Sequence, residues 1–122
     1  MTSMEVSELT SPTARDPLST FHEQLDAFNA HNLDLFVGTY AVNAVIYGLG
    51  DEALSGRDNI RDFYASRFDD KSLRCSVEQA FVIEDRFVFA HELVWRAEIP
   101  TTTVATFDIV DGLIHRAMLM KA

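Results

Sequence analysis

HNLDLFVGTYAVNAVIYGLGDEALSGRDNIRDFYASRF, residues 31–68, reads as a short helix, an apolar strand, a polar loop and a second helix. Asn32 can cap a helix in which Leu33, Phe36, Val37 and Tyr40 share a face. The β-branched Val42, Val45 and Ile46 make 41–48 strand-like, and Gly48, Gly50 and Asp51 mark a loop. Ser55 opens the second helix. Asp58, three residues on, takes the place of the usual glutamate in a capping box. Ile60, Phe63 and Tyr64 form its inner face, and Asp69-Asp70-Lys71 ends it. All three tyrosines of the chain (Tyr40, Tyr47, Tyr64) fall in this stretch.

Upstream, Asp16-Pro17 begins another helix. The aspartate can accept from the free amides, and a proline at the first helical position loses no bond. Leu18, Phe21, Leu25 and Phe28 form its apolar stripe, which runs out near His31-Asn32. Residues 1–15 are rich in Ser, Thr and Glu and lack periodicity, which predicts a mobile tail before a single domain over 16–122.

Downstream of Ser72 the period changes from helical to two. The pattern predicts strands near 73–84, 86–98, 101–110 and 113–121. They are joined at Glu84-Asp85, Ile99-Pro100 and Asp111-Gly112, connections short enough for an antiparallel meander. In the second of these strands Phe87, Phe89, His91, Leu93 and Trp95 alternate with Arg86, Val88, Ala90, Glu92, Val94 and Arg96. The aromatic set is expected to face inward. Helices followed by long strands predict an α+β fold, a curved antiparallel sheet wrapped as a cone around three N-terminal helices. Such a cone has an open mouth and a cavity suited to a small molecule.

The chain has 122 residues, enough to bury roughly two-thirds of its unfolded surface. Its net charge of −9 and ten dispersed basic residues argue against nucleic acid or an anionic membrane as partner. No apolar run approaches the ~18 residues of a membrane span. Glu5 and Glu8 interrupt any leader-like start, so a cytoplasmic location is expected. The lone Cys75 can form no intramolecular disulfide and reads as an apolar filler of a strand. No His, Cys or Asp grouping has metal-ligand spacing. Gly48-Leu49-Gly50 lacks the helix start and further glycine of a dinucleotide fingerprint. No metal or cofactor is therefore expected.

Three segments, HNLDLFVGTYAVNAVIYG, SGRDNIRDFY and TFDIVDGLIHR, taken in order across residues 20–120, resemble the NTF2-like superfamily. That cystatin-like cone fold includes ketosteroid isomerases, SnoaL-type polyketide cyclases, limonene epoxide hydrolase and scytalone dehydratase. The fold hosts unrelated chemistries, so the resemblance speaks for fold first. Laid against the ketosteroid isomerases, the tyrosine of the first helix is matched by Gln24, the aspartate base by Gly48 and the second aspartate by a position near Thr103. The resemblance therefore implies that the steroid isomerase mechanism is absent. It also implies that Tyr40, Tyr64 and Phe63 flank a pocket, and that Phe87, Phe89, His91 and Leu93 face into it.

His91 is the first candidate acid/base, because an imidazole's pKa is easily moved across neutrality. A buried structural histidine would look the same in sequence. Tyr40 and Tyr64 could donate to a carbonyl or enolate oxygen, or be amphipathic core residues. Gln24, Phe28, Phe36, Phe63, Phe87, Phe89, Leu93, Trp95, Thr103 and His115 are candidate ligand-binding residues. His22 and His31 read as solvated helix positions, and Asp108 as a carboxylate near a sheet end. Val88, Ala90, Val94, Ile114, Met118 and Met120 would leave the outer face partly apolar, which predicts a homodimer through the sheet. Three functions follow as expectations. One is an isomerase, cyclase or dehydratase without cofactor, acting on a small apolar molecule, cyclic ones included. Another is a non-catalytic ligand-binding protein, and the third a dimerisation module.

Overall fold

The computed structural model describes residues 16–122, and the tail expected over 1–15 lies outside them. Helix α1 (Pro17–Asn29) starts where the sequence predicts, with the Asp16 side chain accepting from the Leu18 amide at 3.1 Å and Pro17 in the first turn. It stops at Asn29 because His31 turns into the left-handed region, with φ 55. His31 is no solvated helix position. Its ring Nε2 donates to the Leu73 carbonyl at 2.6 Å. Asn29 accepts from the Cys75 amide at 2.7 Å and donates to the Cys75 carbonyl at 2.9 Å. These bonds clasp the end of α1 to the sheet. Helix α2 (Leu33–Gly38) carries the expected Asn32 cap, which accepts from the Leu35 amide.

Strand β1 (Tyr40–Tyr47) is followed by the short β2 (Leu54–Ser55) and by α3 (Arg57–Arg67). The capping box expected at Ser55 and Asp58 does not form. Ser55 is spent in β2, and Gly56 at φ 90 caps α3 without a side-chain bond. Four long strands complete the chain: β3 (Arg74–Ile83), β4 (Phe87–Arg96), β5 (Ile99–Val110) and β6 (Leu113–Lys121). The sheet order is β2-β1-β6-β5-β4-β3. The meander from β3 to β6 is antiparallel as expected, but β1 runs parallel to β6, so the sheet is mixed.

Asp111 and Gly112 both take positive φ and make the tight turn that their types favour. The β4–β5 turn is Ala97-Glu98 rather than Ile99-Pro100, since Arg96 pairs with Ile99 and Trp95 with Pro100. Ala97 adopts φ 55 there, and its amide donates to Ser72 Oγ at 2.8 Å.

The helices cover the concave face of the sheet. Phe21, Phe36, Ile46, Ile60 and Ile114 are fully buried between the layers. The floor beneath them is built from small residues, with Ala90, Ala105 and Ala117 at 3% exposure or less. This reverses the face expected for β4. Val88, Ala90 and Glu92 are the buried set, and Phe87, Phe89, His91, Leu93 and Trp95 alternate with them on the convex side. The register sets the face, since Val88, Ala90 and Glu92 pair with the buried Phe107, Ala105 and Thr103 of β5. The rings find partners outside. Phe81 stacks on Phe89 at 5.6 Å, and Trp95 donates to Ser76 Oγ beneath the Arg74 guanidinium.

Candidate active site

Between α1, α3 and the sheet lies a cavity of about 470 Å³. Of the residues singled out from sequence, Gln24, Phe28, Tyr40, Tyr64 and Thr103 line it. His91, Phe87, Phe89, Leu93 and Trp95 do not, because they point to the convex side. Phe36 is sealed in the core against Tyr40 and Tyr64. Phe63 sits on a shallow outer groove with Leu54 and Asn59, under the Arg67 guanidinium. His115 is the extra residue of a bulge in β6, where Asp108 pairs with Arg116 and Ile109 with Ile114. The bulge takes its ring away from the cavity.

The residue that sequence reading missed is Glu92. It projects from the middle of β4 into the cavity with 6% of its surface exposed. Thr103 on β5 lies directly opposite it, and a bulge in β3 between Val77 and Gln79 falls beside it. Burial raises the Glu92 carboxyl to about 7, opposed only by a hydrogen bond with the Cys75 thiol. Burial likewise raises the Cys75 thiol well above its ordinary value, and the Glu92 charge adds to it. Cys75 is therefore a neutral neighbour and no thiolate nucleophile. A carboxyl poised near neutrality in an apolar wall is suited to give and take a proton at physiological pH.

Two phenols share this space. Tyr40 is 2% exposed. Its hydroxyl accepts from Gln24 Nε2 at 3.5 Å, which leaves its own proton free to point into the cavity. Burial, then the nearby Tyr64, raises it well above its ordinary value. Burial does the same to Tyr64, and Glu92 adds to the effect. Both stay protonated over the working pH range, as an oxyanion donor must. The backbone holds Tyr40 firmly, since Arg57 Nε donates to its carbonyl at 2.8 Å across an irregular stretch of β1.

Gly48, also on the cavity wall, explains why no base stands at the position matched to the steroid isomerase aspartate. Its φ is +98, and a Cβ built there would sit 1.9 Å from the Leu119 carbonyl oxygen. No side chain fits without moving β6.

Asp108 lies near the end of β5, as expected, and is buried there in an ion cluster away from the cavity. It accepts from Arg86 Nε at 2.7 Å and from Arg116 at 2.9 Å. The Arg86 hydrogen bond in particular holds its carboxyl below the usual range. Among the described residues no group of three or more His, Cys, Asp and Glu is placed to hold a metal ion. No helix among them is long and apolar enough to cross a membrane.

Over residues 21–117 the chain matches the family described as the SnoaL-like domain. No curated protein matches it in sequence. Several solved structures share its fold. An uncharacterized cystatin-fold protein from Novosphingobium aromaticivorans aligns with TM-score 0.78 and 18% identity, over 87% of this chain and 98% of that one. The epoxide hydrolase/cyclase-like enzyme SalBIII, with a role in pyran ring formation in the polyether salinomycin, aligns with TM-score 0.77 and 14% identity, over 100% and 95% of the two chains. A cystatin-like protein of unknown function from Methylobium petroleophilum aligns with TM-score 0.78 and 12% identity, over 91% and 80%.

Proposed function

The chain belongs to the family of SnoaL-like domains, and on that footing we propose that it is a small-molecule enzyme of isomerase, cyclase or dehydratase type working by acid/base catalysis without a cofactor. Glu92 is the acid/base group, and Tyr40 and Tyr64 are the oxyanion donors. This moves the acid/base role from His91, on the convex face, to its neighbour in the cavity. The observation that carries the reading is the Glu92 carboxyl, buried on the cavity wall beside Thr103, which burial raises to about 7. Ionised, it can take a proton from a carbon or hydroxyl of the ligand. Protonated, it can return the proton elsewhere on the same molecule, while a phenol steadies the developing oxyanion.

The test is proton exchange into an enolisable bicyclic ketone such as 2-tetralone, followed by NMR in deuterated water. The intact protein should accelerate exchange with an inflection near pH 7. Glu92→Gln should lose about 10²–10⁴-fold, and Tyr40→Phe less. A Glu92→Gln rate equal to that of the intact protein contradicts the assignment. Ligand binding without any acceleration favours the non-catalytic reading.

We also propose that two copies pair through the convex face. Phe81 and Met120 are 57% and 59% exposed, and Ile83, Val104 and Met118 are exposed with them. The strand register joins them into one surface, with Phe81 beside Phe89, His91 beside Val104, and Val104 beside Met120. A patch of this kind favours a partner surface of the same chemistry. Sedimentation should give a dimer that Val104→Glu with Met120→Glu converts to a monomer. A monomeric parent protein contradicts this.

A further inference from the structure

The chain carries ten basic residues against nineteen acidic ones, and most of the described cations are engaged. Arg61 pairs with Asp34, and Arg86 and Arg116 pair with Asp108. Arg57 donates to the Tyr40 carbonyl, and Arg74 covers Trp95. Of the described cations without an ion pair or hydrogen bond, Lys71 is exposed on the surface, while Arg67, Arg96 and Lys121 line the cavity. Arg67 closes the last turn of α3, Arg96 ends β4 and Lys121 ends β6. Arg67 is braced by the Phe63 ring, 4.0 Å from its guanidinium carbon. Desolvation, and then the like charge of Arg96, lowers the Arg67 pKa. Two guanidiniums thus line the same cavity in a protein of strong opposite charge. The acid that senses Arg96 is Asp70, whose carboxylate is already taken by the Ser72 amide at 3.0 Å and the Ser72 hydroxyl at 2.6 Å.

Like charges that share a cavity and form no direct ion pair favour an anion between them, and paired guanidiniums suit the planar fork of a carboxylate. We propose that Arg67 and Arg96, flanked by Lys121, form a carboxylate subsite at the cavity mouth, so that the ligand is an elongated apolar acid. Arg96 lies four residues along β4 from Glu92, about 13 Å at ~3.3 Å per residue. The acid therefore carries its reactive carbon several bonds from its carboxylate. Val94 lies between them on β4, and Phe28 and Leu119 add apolar lining to the same cavity. This assignment rests on the reading of the cavity as a small-molecule site.

Calorimetric titration with ω-phenylalkanoates, from 3-phenylpropanoate to 6-phenylhexanoate, and with their methyl esters tests it. The acids should bind at least about tenfold more tightly than their esters at low salt. The preference should shrink as salt rises and fall to within about twofold in Arg67→Gln with Arg96→Gln. Arg96 is exposed, so Arg96→Gln alone gives an intermediate value in a chain whose folding is not at risk. Acids and esters binding equally overturns the subsite and leaves the cavity reading standing. Neither binding at any length overturns both. Glu92→Gln should keep the acid preference, so loss of catalysis and loss of the subsite are read separately.

Discussion

Alternate residues of β4 meet two environments. On the concave side Val88, Ala90, Glu92 and Val94 lie under the helices or against the cavity. On the convex side Phe87, Phe89, His91, Leu93 and Trp95 are half-covered by their neighbours in the sheet. By polarity the convex set looks like the interior, since it holds three aromatic rings. The register places it outside, because Ala90 and Glu92 pair with the buried Ala105 and Thr103 of β5 on the concave face. The cavity's one carboxylate on this strand therefore sits among small aliphatic residues. Low-dielectric surroundings, with few competing hydrogen bonds, raise it. The histidine one residue away, whose intrinsic chemistry is better suited to neutral pH, is out of reach of the site.

The strongest way to break this comparison is at the edge of the concave face. Gly48→Asp should destabilise the protein by about 3–5 kcal/mol, or leave it unfolded, because strain at positive φ adds to the collision with the Leu119 carbonyl. A thermal melt reads this. A folded Gly48→Asp protein of parental stability would mean that the position can host a carboxylate after all.

Next in size is the pH dependence of stability. An unfolded Glu92 ionises near 4.5, and the folded one at about 7. Between these values the folded chain keeps a proton that the unfolded chain releases, so stability falls as pH rises through the window and levels off above it. Glu92→Gln should remove that fall. Relative to its parent it should gain about 2–3 kcal/mol in moving from pH 4 to pH 8, seen in denaturant midpoints. Parallel pH curves for the two proteins would contradict the burial of the charge.

The smaller effects contrast the two faces directly. Ala90→Leu, beneath the helices, should cost about 1–3 kcal/mol by overpacking. His91→Ala, its neighbour on the convex side, should change the exchange activity by less than about twofold and monomer stability by under about 1 kcal/mol. Equal costs at the two positions would erase the distinction.

Much of this was legible in the chain. Asp16-Pro17, Asn32 and Asp111-Gly112 act locally, through side-chain caps and a preference for positive φ, so they mark their elements without tertiary context. The apolar stripe of α1 marks Phe28, and the resemblance to ketosteroid isomerases marks Gln24, Tyr40, Tyr64 and Thr103, although Tyr40 opens β1 rather than sharing a helix face. The choice of face on β4 needed a relation between strands. A two-residue turn puts an odd-numbered β5 residue opposite an even-numbered β4 residue, whether the turn is Ala97-Glu98 or Ile99-Pro100. Thr103 facing the cavity therefore requires Glu92 to face it too, and excludes His91. The signal for Glu92 lay in that parity, with a lone carboxylate in the apolar run FVFAHELVW as a second mark. The convergence of Arg67, Arg96 and Lys121 has no such mark, because it joins the ends of three elements far apart in sequence.

The central claim is that the concave face of β4 holds a carboxyl tuned to neutrality. Carbon-13 NMR of side-chain-labelled glutamate, with Glu92→Gln to assign the resonance, measures it directly. A Glu92 titration centred at about 7 is the predicted result. A midpoint near the ordinary 4.5 would contradict the account.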